Sequence, residues 1–63
     1  MNIGRKLTIA LYDKGITARE LAAKLGVSEA MISKIKSNER KPSLGLAMKI
    51  AKELDMTVDK LIK

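Results

Sequence analysis

A chain of 63 residues has room for one hydrophobic core, and a domain of this size buries only about 60% of the surface that its unfolded form exposes. It contains no Cys and no His, which excludes a disulfide framework, a Cys/His zinc site, a cysteine nucleophile and a Ser-His-Asp triad. Thirteen Lys and Arg against seven Asp and Glu leave a net charge of +6, a balance that points to an anionic partner, nucleic acid before membrane. Hydrophobic residues make up 46% of the chain and Tyr12 is the single aromatic, so the core is expected to be aliphatic. No stretch approaches the roughly 20 apolar residues of a membrane span. The start of the chain lacks a long apolar run with a small-residue cleavage site, so no signal peptide is expected. Met1 reads as the natural start, and a cytoplasmic location follows. The four glycines, at 4, 15, 26 and 45, stand apart and form no phosphate-cradling loop.

Apolar spacing predicts helices throughout and no strand. The first helix is expected over residues 2–14, capped by Asn2, with Ile3, Leu7, Ala10 and Leu11 on one face. Gly15 supplies the left-handed residue that ends it. Thr17 followed three residues later by Glu20 is a capping box, with Ile16 and Leu21 as the apolar staple around it. Leu21, Ala22 and Leu25 form the buried stripe of this second helix, and Gly26 stops it. Val27 and Ile32 then staple a third helix capped by Ser28, whose Ile32 and Ile35 face inward. Only Gly26 and Val27 separate the second helix from the cap of the third, so the two must cross steeply. Residues 37–42 are a polar, basic loop. Pro42 and Ser43 mark the start of a fourth helix with Leu46, Ala47, Ile50, Ala51 and Leu54 inside and Lys49 and Lys52 outside. Met56, Thr57 and Leu61 repeat the staple-and-cap pattern for a short fifth helix. Helices of 8 to 12 residues are too short to be stable alone and must share one core.

Two capped short helices around a glycine-centred turn within about 20 residues make a helix-turn-helix pattern. The runs ITARELAAKLGVSEAMISKIKSNERKPS and LAMKIAKELDMTVDKL resemble the lambda-repressor/Cro-like helix-turn-helix family. The resemblance covers residues 3–62. It is carried most specifically by Leu21-Ala22, Leu25-Gly26-Val27-Ser28, Ile32-Ser33-x-Ile35, Pro42-Ser43 and Ile50-Ala51. It implies an all-α, compact five-helix DNA-binding domain over residues 1–63, with the helix-turn-helix at helices 2 and 3. Residues 17–25 would be the support helix across the DNA backbone and residues 28–36 the recognition helix in the major groove. Carried over position by position, Ser28, Glu29, Ala30, Ser33 and Lys34 would face base edges. Thr17, Ala18 and Arg19, with Lys36, Ser37, Asn38, Arg40 and Lys41, match positions that approach phosphates.

The chemistry of these residues is uneven. Lys34 suits guanine O6 and N7. Glu29 either accepts from cytosine N4 or repels phosphate in wrong registers, and near a helix start it also favours the macrodipole. Ala30 offers only an apolar contact to a thymine methyl, and Met31 is expected to pack at the core edge. Three positions depart from the family pattern. A Gln that commonly anchors the support helix is Ala18 here, leaving its backbone N–H and neighbouring Arg19 as substitutes. An Arg–Glu ion pair between the first and third helices is replaced by Leu11 and Lys36, which leaves Lys36 free to point toward DNA. The usual Asn-Gly after the recognition helix reads Ser37-Asn38, and Asn tolerates the left-handed conformation of the missing Gly.

The resemblance thus implies a transcriptional regulator, most simply a repressor that blocks polymerase sterically, with no cofactor, no metal and no small-molecule effector. The operator would be a pseudo-palindromic duplex bound by a weak homodimer that DNA strengthens. Met56, Val58, Leu61 and Ile62 are the candidate dimer surface, with intrachain packing as their other reading. The seven carboxylates, at positions 13, 20, 29, 39, 53, 55 and 59, show no spacing of a metal or paired-carboxylate site, so an enzyme is not expected. The alternative is a protein-interaction module, an antitoxin or adaptor on the same scaffold, favoured by Ala18 and Glu29. The basic Arg40-Lys41 pair and the +6 charge oppose that as the sole role.

Overall fold

The computed structural model describes residues 2–62, and Met1 and Lys63 lie outside the described residues. All regular structure among them is helical: α1 (Ile3–Lys14), α2 (Ala18–Leu25), α3 (Glu29–Lys36), α4 (Leu44–Glu53) and α5 (Val58–Ile62). Each start is set by a polar side chain that accepts an otherwise unpaired N–H of the first turn. Asn2 accepts from Arg5, Ser28 from Met31, Ser43 from Leu46 and Thr57 from Lys60. At α2 both halves of the capping box form: the Thr17 hydroxyl accepts the Glu20 N–H and the Glu20 carboxylate accepts the Thr17 N–H, each at 3.1 Å. Gly26 ends α2 at φ 70°, and its N–H turns back onto the Ala22 and Ala23 carbonyls. A side chain at Gly26 would meet nothing within 4 Å, so glycine is required there by backbone angle alone.

The core is aliphatic. Leu7, Leu21, Ile32, Ile35, Ile50, Leu54 and Leu61 are fully buried, and Ala22, Ala47 and Ala51 are buried as well. α2 packs mainly on α3 and also on α4, while α1 bridges α3 and α5 and α4 closes against α5. The expected inward stripes hold, with Ala10, Leu25 and Leu46 half-buried at the edge of the core. Leu61 is enclosed by the chain itself and is withdrawn from the candidate dimer surface, because a residue with no exposed area has nothing to offer a second copy. Met56, Val58 and Ile62 pack against the core from its rim and stay partly accessible.

Two non-glycine residues hold left-handed backbone, Asn38 at φ 63° and Asp55 at φ 54°. Asp55 lies just past α4, and its single ion pair, 3.7 Å to Lys14, joins two exposed side chains and contributes little. Replacing Asp55 with glycine relieves the Cβ crowding of that conformation but frees the unfolded chain. The two terms leave a net gain for Asp55→Gly of about 0.5 kcal/mol, or roughly 2–4 °C in Tm, measurable by thermal unfolding.

Candidate nucleic-acid interface

The surface marked by the sequence begins at the start of α2. Thr17 spends its hydroxyl on the capping box, so it offers neighbouring groups only its remaining O–H. Ala18 is half-buried against the core. Its side chain cannot reach outward, but its N–H belongs to the first turn, where helical partners are lacking and the macrodipole favours an anion. Arg19 follows and is exposed.

The turn at Gly26 then aims α3. With 3.6 residues per turn, burial of Ile32 and Ile35 fixes the opposite, outward crest as Ala30, Ser33, Lys34 and Ser37. All four are exposed. Three are small, so the crest is narrow and Lys34 is its one long side chain. Glu29 is exposed but sits about a quarter-turn off the crest, on the flank that carries Lys36. Ser28 is exposed at the N-cap with its oxygen engaged by Met31 N–H at 3.1 Å. Met31 is half-buried and packs on the core, as its place at the edge implies.

Beyond α3 the candidates separate. The Ser37 hydroxyl lies within bonding distance of the Lys34 carbonyl (3.1 Å) and the Glu39 carboxylate (2.6 Å), so its proton is committed within the loop. Asn38 turns its amide toward the start of α1, where its oxygen accepts the Gly4 N–H at 3.0 Å and its nitrogen donates to Asn2 at 2.9 Å. These bonds tie Asn38 to α1 and leave one of its two amide hydrogens for a phosphate. Leu11, in place of an ion-paired Arg, is a core residue, and Lys36 is half-buried rather than fully free. Arg40 and Lys41 remain exposed, and neither makes an ion pair among the described residues.

Two features were not anticipated. The start of α1, the loop after α3 and the end of α5 enclose an open cleft of about 270 Å³ lined by Ile3, Asn38, Arg40, Lys41, Pro42 and Ile62. Its walls come from three separate stretches of chain, so no local motif announces it. Ile9, Tyr12 (86% exposed), Leu44 (66%) and Met48 are large apolar side chains on the surface. The signal for Leu44 and Met48 was present, since both fall off the stripe of Ala47, Ile50, Ala51 and Leu54.

A capped support helix, a tight turn through the left-handed Gly26 and a second helix with an exposed, narrow crest define a helix-turn-helix DNA-binding protein. Comparison with family models agrees: one described as Helix-turn-helix matches residues 11–61. The chain belongs to this lambda-repressor/Cro-like, XRE-type helix-turn-helix family and is a DNA-binding regulator. Searches against curated proteins and against solved structures give no match. Among the described residues no helix is long and apolar enough to cross a membrane.

The narrow crest generates a direct check. Ser33→Leu adds bulk where the side chain is exposed, so stability should change by no more than about 0.5 kcal/mol. With the crest as the DNA-facing surface, affinity for duplex DNA should nevertheless fall at least about tenfold, since the added bulk would hold the helix off the bases. Denaturant unfolding and a titration with labelled duplex measure the two effects.

Proposed function

We propose that this protein is a sequence-specific repressor of the phage Cro/repressor type that inserts α3 into the major groove of an operator. The observation that carries the reading is the crest of α3. A groove about 12 Å wide admits a helix, and small residues at 30, 33 and 37 let it sit deep while Lys34 reaches a base edge. In this reading Ser28 and Glu29 meet bases from the N-terminal end of α3, Glu29 at the edge of the contact. The backbone at Thr17 and Ala18, with Arg19, Lys36, Arg40 and Lys41, neutralises phosphates on either side. Asn38 reaches phosphate through the amide hydrogen that it does not give to Asn2, and Ser37, whose N–H and hydroxyl are bonded within the chain, shapes the loop that presents Arg40 and Lys41. The protein performs no chemistry, uses no cofactor and acts in the cytoplasm by occupying a promoter.

The operator is a pseudo-palindrome bound by two copies, with half-sites one turn apart, about 10–10.5 bp. Met56, Val58 and Ile62 supply a small edge for that contact, so the dimer is weak and is completed on DNA. A second reading, a protein-interaction module of the antitoxin or adaptor kind, is favoured by the exposed Ile9, Tyr12, Leu44 and Met48.

Selection of binding sites from random duplex DNA, with salt dependence, distinguishes these readings. A sequence-reading dimer enriches a pseudo-palindrome, and its log affinity falls by about 0.9 per log salt for each phosphate neutralised. No binding at low salt would put the protein-interaction module first. Lys34→Ala should cost about 1–3 kcal/mol at the preferred site and relax preference at one base pair. Arg40→Ala should weaken all sequences alike and lower the salt slope by about 1. Unchanged base preference in Lys34→Ala sinks its assigned role.

A further inference from the structure

The start of α1 is seated directly on the end of α3. A Cβ built on Gly4 would run into the Lys36 carbonyl oxygen and come within 2.9 Å of both the Ile35 carbonyl and the Asn38 amide oxygen. Gly4 is helical, so glycine is required here by space, the reverse of Gly26. The approach brings the positive end of α1 onto the negative end of α3, which favours both macrodipoles. It also places a polar joint across the seam. Gly4 N–H, one of the first-turn groups that α1 cannot satisfy itself, donates to Asn38 Oδ1 at 3.0 Å. Asn38 Nδ2 donates to Asn2 Oδ1 at 2.9 Å, and that same oxygen accepts the Arg5 N–H at 2.9 Å. Each amide has its orientation set by a backbone N–H, which can only donate, so the chain of bonds runs one way and leaves no mismatched group.

We propose that Asn38 is a positioning residue for DNA reading: it latches α3 to α1 and thereby sets the angle at which the α3 crest meets the groove. The same residue holds left-handed backbone, and the N–H groups of Glu39 and Arg40 fold back onto the Lys34 carbonyl. The latch therefore lies between the crest and the Arg40-Lys41 cations. A one-residue hinge there would let the base-reading and phosphate-holding groups move independently. The bonds to Asn2 and Gly4 remove that freedom, in a chain where Leu11 and Lys36 supply no ion pair between α1 and α3. The inference rests on the DNA-reading function proposed above.

The test uses the full chain with Asn38→Gly, which keeps the left-handed backbone and so folds, but loses the amide. Asn38→Asp keeps the acceptor for Gly4 N–H but sets a carboxylate oxygen against Asn2 Oδ1, so it breaks the joint at one end only. Residual dipolar couplings of the free protein report the angle between α1 and α3, and titrations with the selected and a scrambled duplex report discrimination. In Asn38→Gly the α3 couplings should change relative to those of α1. Discrimination should fall about tenfold, the size of one misplaced base contact, with Asn38→Asp in between. A lower Tm with unchanged couplings overturns the proposal, because the latch then only stabilises. Changed couplings with unchanged discrimination overturn it too. If the unaltered protein prefers no sequence, base reading itself has failed. The couplings then decide alone whether Asn38 orients α3, and unchanged couplings reject it.

Discussion

Everything functional in this molecule depends on the tight turn between α2 and α3. Two short helices, neither stable alone, are joined through Gly26 and Val27, and Gly26 takes a backbone angle that side chains resist. That angle lets Leu21 and Ala22 of one helix and Ile32 and Ile35 of the next enter the same core. Once those four are buried, the 3.6-residue repeat leaves no choice about what faces outward. Burial on one side of α3 thus produces the exposed crest on the other.

Specificity and affinity are divided between different stretches in the proposed mode of action. The crest is nearly neutral and narrow, with one cation, which suits shape and hydrogen-bond reading in a groove. The charge sits around it, on Arg19, Lys36, Arg40 and Lys41, where it can meet phosphates without dictating sequence. Several polar side chains at the proposed interface also build it. Thr17 and Ser28 cap helices, Ser37 ties its own loop, and Asn38 ties α3 to α1. A small domain without disulfide or metal has few residues to spare, so polar side chains at its binding edge also hold the frame.

The helix boundaries and most of the core were legible in the sequence because their causes are local. A cap needs a hydroxyl or amide three residues before a free N–H, a stop needs a residue that tolerates positive φ, and a buried stripe needs only helical spacing. Family membership was legible for the same reason, since the motif is a run of such local features. The dimer surface was less legible. For Leu61 the staple pattern with Met56 already pointed to intrachain packing, and its complete enclosure by the chain decides between the two readings.

By itself the sequence determined five capped helices, an aliphatic core, a basic loop and the helix-turn-helix. All of these rest on interactions between residues a few positions apart. Only the tertiary structure decided what Gly4 and Asn38 touch, because the two lie 34 residues apart. It also decided that the Asn38 amide turns toward the start of α1 while Arg40 and Lys41 make no ion pair among the described residues, and that a cleft opens where α1, the loop and α5 meet. Local spacing records the angle of a turn. It holds no record of which distant carbonyl will lie against a glycine that has no room for a side chain.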